Sequence, residues 1–215
     1  MLLCAGQMSW RGNQSNDRVC SEPNVNQAPK TKLYRGELVS DNRFFVNIWL
    51  ERELPLLSGA VVNLGAGSSQ LPKKLLGSQV IQYITYDLPT YGDSQNPVDV
   101  VGSIECMPAE WSNKWDAAIC VEVMECVPNI FQAAQEIYRI LRPGGVILIT
   151  APFDLPWFGY GSTPESLTKK SPVKDYWRIS KNGWQLLMSS FSSVSIEGFG
   201  GEECNRTNYC IKAIK

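Results

Sequence analysis

The chain has 215 residues, 44% of them hydrophobic and 19% charged, which suits one globular domain with a sizeable core and excludes a disordered or fibrous polymer. Its net charge is −1 and its 20 Lys and Arg are scattered, which argues against a nucleic-acid groove or a polybasic membrane face. Seven cysteines without a Cys-x-x-Cys, and no histidine at all, point to reduced thiols, give no zinc knuckle and deny any reaction an imidazole base.

Met1 to Gly6 has no charged leader, its apolar run is too short for a signal peptide, and no stretch reaches a transmembrane length, so the expectation is a cytoplasmic protein. Residues 1–30 are rich in Asn, Gln and Ser and read as a mobile arm before a domain spanning 31–215. The alternative for the arm is a lid that orders over a bound ligand. From Phe44 to Leu57, apolar residues recur at helical spacing, and Pro55 predicts that the helix ends close by.

Ala60-Val61-Val62 then leads into Gly65 and Gly67, and Leu71 to Leu76 opens a helix. This is the pattern of a buried parallel strand, a tight glycine turn and a helix N-terminus. Val80 to Tyr86 reads as a second strand ending at Asp87, twenty residues after Gly67. A carboxylate there suits a ribose hydroxyl pair, because it accepts two hydrogen bonds at once. The plainer reading is a carboxylate capping the loop before Pro89.

Val98 to Gly102 predicts a short strand followed by Ser103, and Trp115 to Val121 a buried one leading to Glu122. Ile130 to Leu141 carries the stripe of an amphipathic helix. Arg142-Pro143-Gly144-Gly145 is expected to stop it with a left-handed turn before a strand over Val146 to Pro152. Residues 153–176 are an insertion rich in aromatics, Phe153, Trp157, Phe158 and Tyr160 among them, read either as a wall over an acceptor or as a packed loop. Lys181 to Phe191 reads as a helix capped by Ser180. Val194 to Gly198 and Tyr209 to Ile214 read as closing strands, and the sequon Asn205-Arg206-Thr207 as a chance match.

Strands alternating with helices predict an α/β fold, a doubly wound and mostly parallel sheet with helices on both faces. Ligands in such sheets lie beyond the carboxyl ends of the strands, where Gly65, Asp87, Ser103 and Glu122 all fall.

Residues 60 to about 152 resemble class I S-adenosylmethionine-dependent methyltransferases, in particular the small-molecule (type 11-like) enzymes related to ubiquinone and sterol methyltransferases. The resemblance lies in Val62 to Gly67, Asp87, Val101 to Pro108, Trp115-Asp116, Val121 to Glu125 and Leu141 to Gly145. Asp175 to Ser180 also resembles a stretch of methyltransferases from glycan-biosynthesis clusters. The resemblance implies a Rossmann-like sheet of about seven strands, the last antiparallel and inserted between its neighbours. It implies S-adenosylmethionine as cofactor, with Asn63, Gly65, Ala66 and Gly67 around its methionine part and Asp87 on its ribose. Leu88, Ser103 and Ile104 would lie at the adenine, and Val121 and Glu122 near the reactive methyl.

Three positions depart from the family pattern. Asn63 replaces an acid, Ser103 replaces an Asp and Cys126 stands where a histidine is common. Each lost charge-assisted bond is worth about 1–3 kcal/mol. The activity implied is methyl transfer to an oxygen, nitrogen or carbon of a small metabolite or sugar precursor, with no nucleic acid and no membrane span. Glu122, Glu125 and Tyr176 are the candidate catalytic groups, with Asp154 and Asp175 as further bases. Asp175 and Arg178 equally suit a surface ion pair, and Glu125 a helix cap. The alternative is a methyltransferase-like binding or scaffold protein without catalysis. A dinucleotide oxidoreductase would need a third glycine at position 70, which is Gln70.

Overall fold

The computed structural model describes residues 31–67, 69–89, 97–155, 174–200 and 207–215. The arm over 1–30, the aromatic run Trp157 to Gly161, and Asn205 and Arg206 of the sequon lie outside the described residues.

A two-stranded antiparallel hairpin, β1 (Thr31–Tyr34) and β2 (Glu37–Ser40), precedes α1 (Asp41–Glu53). The main sheet contains β3 (Gly59–Leu64), β4 (Val80–Asp87), β5 (Val100–Val101), β6 (Trp115–Val121), β7 (Leu141–Pro152), β8 (Ser193–Phe199) and β9 (Asn208–Ile214). Its order is β5-β4-β3-β6-β7-β9-β8, parallel except for β9, which runs antiparallel between β7 and β8. Among the described residues, the further α-helices are α2 (Leu71–Leu75), α3 (Ile130–Ile140) and α4 (Lys181–Leu187). No helix of the described residues is long and apolar enough to cross a membrane.

Both faces of the sheet are covered, which is why β3 and β6 read as near-continuous apolar runs. On one face Ile137 and Ile140 of α3 and Trp184 of α4 pack on Val62, Leu64 and Ala118. On the other, Val46, Trp49 and Leu50 of α1 follow helical spacing onto Val61, Ile119 and Leu148. Trp49 Nε1 also donates to Glu197 on β8, and Lys212 Nζ of β9 sits 2.9 Å from Glu53 Oε2. These contacts clamp α1 across the β8–β9 end of the sheet.

The elements differ from the sequence expectation in several places, although α1 does end close to Pro55 as expected. The hairpin was not foreseen, although Arg35 and Gly36 both take positive φ (48° and 88°) in a two-residue turn of the kind hairpins prefer. Helix α1 begins three residues before Phe44, and Pro55 falls in a 3-10 turn, Leu54–Leu56, beyond its end. Helix α3 ends at Ile140 because Leu141 is already extended (φ −75°, ψ 145°). The Arg142-Pro143-Gly144-Gly145 segment is therefore a bulge at the entrance of β7 and not the helix stop. Its register jumps from Leu141 opposite Trp115 to Val146 opposite Ala117, with Gly144 at φ 78°.

Helix α4 stops at Leu187, short of Phe191, and Ser180 caps it by accepting from the Gly183 N–H at 3.2 Å. Because this short helix carries buried Trp184 and Leu187, Ser180→Ala should cost about 1 kcal/mol in urea unfolding. Ser180→Asp, which keeps an acceptor at the cap, should stay near wild type. Equal losses in both variants would remove the cap from the account.

Candidate functional site

A cavity of about 480 Å³ lies beyond the carboxyl ends of β3, β4, β5 and β6. Its floor is the glycine turn. The N–H groups of Gly65 and Ala66 both donate to the Tyr86 carbonyl (2.8 and 3.3 Å), stitching the turn to the end of β4. Gly65 has φ 65°, and a Cβ built there would lie 2.3 Å from Val123 Cγ2, so the turn and the Glu122 loop are in closest packing. Gly67 has φ 51°, but a Cβ there would meet nothing within 4 Å. That empty space is a cradle kept open by the missing side chain.

Asp87 ends β4 at the wall of the cavity. Its Oδ2 accepts from the Gly67 N–H and its Oδ1 from the Leu88 N–H, each at 2.7 Å. Burial pushes its carboxyl above the ordinary value, and the two backbone donors pull it back. Each oxygen keeps lone-pair capacity for a further donor such as a hydroxyl. Leu88, 44% exposed, and buried Ile104 add apolar wall on either side. Gly102 is packed against Tyr86, whose Oη donates to the Ser103 carbonyl at 3.0 Å. The Ser103 hydroxyl accepts locally from the Glu105 N–H at 3.2 Å.

At the other end stands Glu122, with the left-handed backbone (φ 54°) that a residue with a Cβ rarely adopts. Its N–H donates to the Thr150 carbonyl at 2.9 Å. Its Oε1 accepts from Thr150 Oγ1 at 2.8 Å and Asn208 Nδ2 at 3.2 Å. The carboxyl thus leans toward β7 and β9, away from Asp87. Burial raises its pKa, while Thr150, Asn208 and the nearby Arg43 and Arg178 guanidiniums oppose that rise.

Glu125 lies behind it, 2% exposed, with Oε2 buried and without a partner. Its carboxyl is pushed up to about 8, first by burial and then by the Glu122 charge. The Cys126 thiol on the cavity wall is pushed up to about 12, again first by burial. A thiolate base is therefore disfavoured there.

The segment after residue 173 closes this end. The N–H groups of Tyr176 and Trp177 donate to the Glu125 carbonyl (2.7 and 3.1 Å), and Trp177 Nε1 donates to the Val127 carbonyl. Lys174 and Tyr176 line the cavity. Asp175 and Arg178 form the expected pair, but the Asp175 side chain is only 2% exposed, so the pair is interior and not on the surface. Glu125 is likewise no helix cap. Asn129 caps α3, accepting from the Gln132 N–H.

Of the residues the sequence singled out, Gly65, Gly67, Asp87, Leu88, Ser103, Ile104, Glu122 and Tyr176 all line this one cavity. Asn63 does not. It is buried in β3, and its Nδ2 donates to Tyr83 Oη at 2.9 Å. Ala66, Val121 and Glu125 adjoin the wall without lining it, and Asp154 is not on it. The sequence reading missed Thr150, Asn208 and Lys174. A lone threonine in the apolar run of β7 was the available signal for Thr150, whereas nothing local marked Asn208.

The family model Methyltransf_11, described as a methyltransferase domain, matches residues 62–149. Among solved structures, a SAM-dependent methyltransferase of Archaeoglobus fulgidus aligns with TM-score 0.56 and 16% identity over 80% of this chain and 94% of its own. A protein of Pyrococcus horikoshii aligns with TM-score 0.57 and 17% identity over 80% and 89%. An S-adenosylmethionine-dependent methyltransferase of Mesorhizobium loti does so with TM-score 0.53 and 15% identity over 78% and 96%. No curated protein matches by sequence.

Proposed function

We propose, taking as premise that residues 62–149 form a class I S-adenosylmethionine-dependent methyltransferase domain, that the chain methylates an oxygen, nitrogen or carbon nucleophile of a small metabolite or sugar precursor. The observation that carries this reading is that one cavity is lined by Asp87 together with Glu122 and Tyr176. Its size is that of a small-ligand pocket and not of a polymer groove.

The residues fit the cofactor. The open cradle at Gly67 admits a ligand against the backbone, Asp87 offers acceptors to a ribose diol, and Leu88 and Ile104 offer apolar contact to a flat base. When bound, the cofactor would supply a sulfonium methyl group open to attack by an acceptor lone pair, with the thioether as leaving group keeping the C–S electron pair. The protein's share is alignment and exclusion of water. In this reading the Tyr176 phenol orients the acceptor and the Glu122 carboxylate takes its proton, and both residues line the cavity. With Cys126 held as a thiol and no histidine in the chain, a carboxylate base is the economical solution.

The test is calorimetric titration with S-adenosylhomocysteine beside Asp87→Ala. Micromolar binding that the variant weakens tenfold or more (about 1.4 kcal/mol) is expected, and would justify screening acceptors. Absence of binding up to about a millimolar would sink the reading in favour of a scaffold without catalysis.

A further inference from the structure

Glu122 directly follows the end of β6 and Glu125 lies in the 3-10 turn Met124–Cys126 just beyond it; Glu125 is buried, and Glu122 is half-buried on the cavity wall. The fold treats them unequally. Glu122 is held by Thr150 and Asn208, whereas Glu125 keeps one oxygen buried with no donor. Two interacting carboxyls in such a place do not both ionise readily, and their protons belong to the pair.

The surrounding charges assign the members. Arg43 of α1 and Arg178 of the closing segment favour a charged Glu122. Against Glu125 stand Glu122 and Asp175, with Arg178 opposing them from beyond its own pair with Asp175. The thiols of Cys120 on β6 and Cys126 on the turn are raised well out of the neutral range. Glu122 is the member on the cavity wall, and Glu125 is the one behind it.

We propose that the Glu122–Glu125 pair holds one proton in the free protein and yields it to solvent when the cationic methyl donor binds, so that loading the cofactor generates the base. This rests on the methyltransferase reading above. A positive charge in the cavity favours the doubly ionised pair, because it offsets the repulsion that kept one carboxyl neutral. During transfer the acceptor's X–H bond breaks and its proton passes to the pair. The X–C bond forms as the C–S bond breaks, and the sulfonium becomes a neutral thioether. The pair is then protonated beside an uncharged product, its resting condition, and its proton leaves for solvent when the next donor binds. In sum, X–H and the sulfonium give X–CH3, a thioether and one proton.

The proposal separates two ligands that differ in charge at sulfur. Calorimetric titrations of the full chain with S-adenosylmethionine and with S-adenosylhomocysteine, at about pH 7 in phosphate and in Tris, give the protons exchanged on binding each. The cationic ligand is expected to release roughly half a proton or more beyond the neutral one. The affinity ratio of the two should rise with pH, by up to about tenfold per unit. Glu125→Gln and Glu122→Gln should each abolish the excess, with no change in the fold by circular dichroism. A proton lost from the ligand's own ammonium group would persist in both variants, and that persistence would overturn the proposal. So would equal release by both ligands in the wild type, which needs no variant to read. Failure of either ligand to bind would overturn the methyltransferase reading itself and this inference with it.

Discussion

Gly65→Ala is expected to lower the stability of the protein by about 2–4 kcal/mol, the sum of a left-handed backbone and an overpacked contact. The new methyl would stand 2.3 Å from Val123 Cγ2 and 2.8 Å from its Cγ1. Val123 cannot simply swing aside, because it links Glu122, tied to Thr150 and Asn208, to the turn at Met124–Cys126. Relief must therefore come from moving the Glu122 loop or the glycine turn, and either motion reshapes the cavity. Gly67→Ala is the matched control. It has the same kind of φ but open space around the new methyl, so it should cost only about 1 kcal/mol of stability.

The methyl of Gly67→Ala would instead occupy the cradle, and its main effect should be a tenfold or greater loss of S-adenosylhomocysteine affinity (about 1.4 kcal/mol). The two alanines thus divide the turn into a packing role and a ligand role. Urea unfolding and calorimetric titration of both variants check this. Equal stability losses, or intact binding by Gly67→Ala, would break the assignment.

What was legible in the sequence follows from which forces are local. Val61, Val62 and Leu64 announced a strand buried on both faces because a parallel sheet covered by helices needs uninterrupted apolar residues. Gly65, Gly67 and Asp87 were readable because a tight turn and a paired acceptor each demand a residue type at a fixed offset. Glu122 was readable as a strand end but not as a strained residue, since only its φ reveals that. The support behind it was hidden. Thr150 and Asn208 reach Glu122 from β7 and β9, and Asn208 lies 86 residues along the chain. Such contacts come from strand order, which no local pattern encodes.

The Arg142-Pro143-Gly144-Gly145 segment misled for the opposite reason. Its local chemistry, a breaker and a left-handed glycine, is real, but the helix had already ended at Ile140. The Gly144 N–H donates instead to the Lys215 carbonyl at 2.9 Å, and Lys215 N–H returns a bond to the Gly145 carbonyl at 3.0 Å. Tertiary pairing with the end of the chain takes up a turn that sequence alone assigns to a helix terminus. Asn63, read with the glycine turn, lies in β3 with its Nδ2 donating to Tyr83 Oη on the neighbouring strand, a partner that only strand pairing reveals.

The stability of the free protein should fall as the pH rises from about 4.5 to about 8, and Glu125 contributes to that fall. Its carboxyl titrates at 4.5 when unperturbed and near 8 in the folded chain, so over that interval the folded state binds a proton that the unfolded state has lost. Stability then declines with a slope of up to about 1.4 kcal/mol per pH unit for one proton. The contribution is complete below the unfolded value and gone above the folded one. Glu122, raised by burial as well, acts with the same sign. Carboxylates held low by their partners, such as Asp99 and Glu136, lose their contribution only in more acidic solution and leave this window untouched.

Glu125→Gln mimics the neutral carboxyl, so it should match the wild type near pH 4.5 and exceed it increasingly toward pH 8. The contribution of Glu122, of the same sign, should remain in the variant. Urea unfolding at constant ionic strength across this range reads the difference directly. Parallel curves for wild type and variant would show that Glu125 is ionised in the folded chain and is not the member that holds the pair's proton.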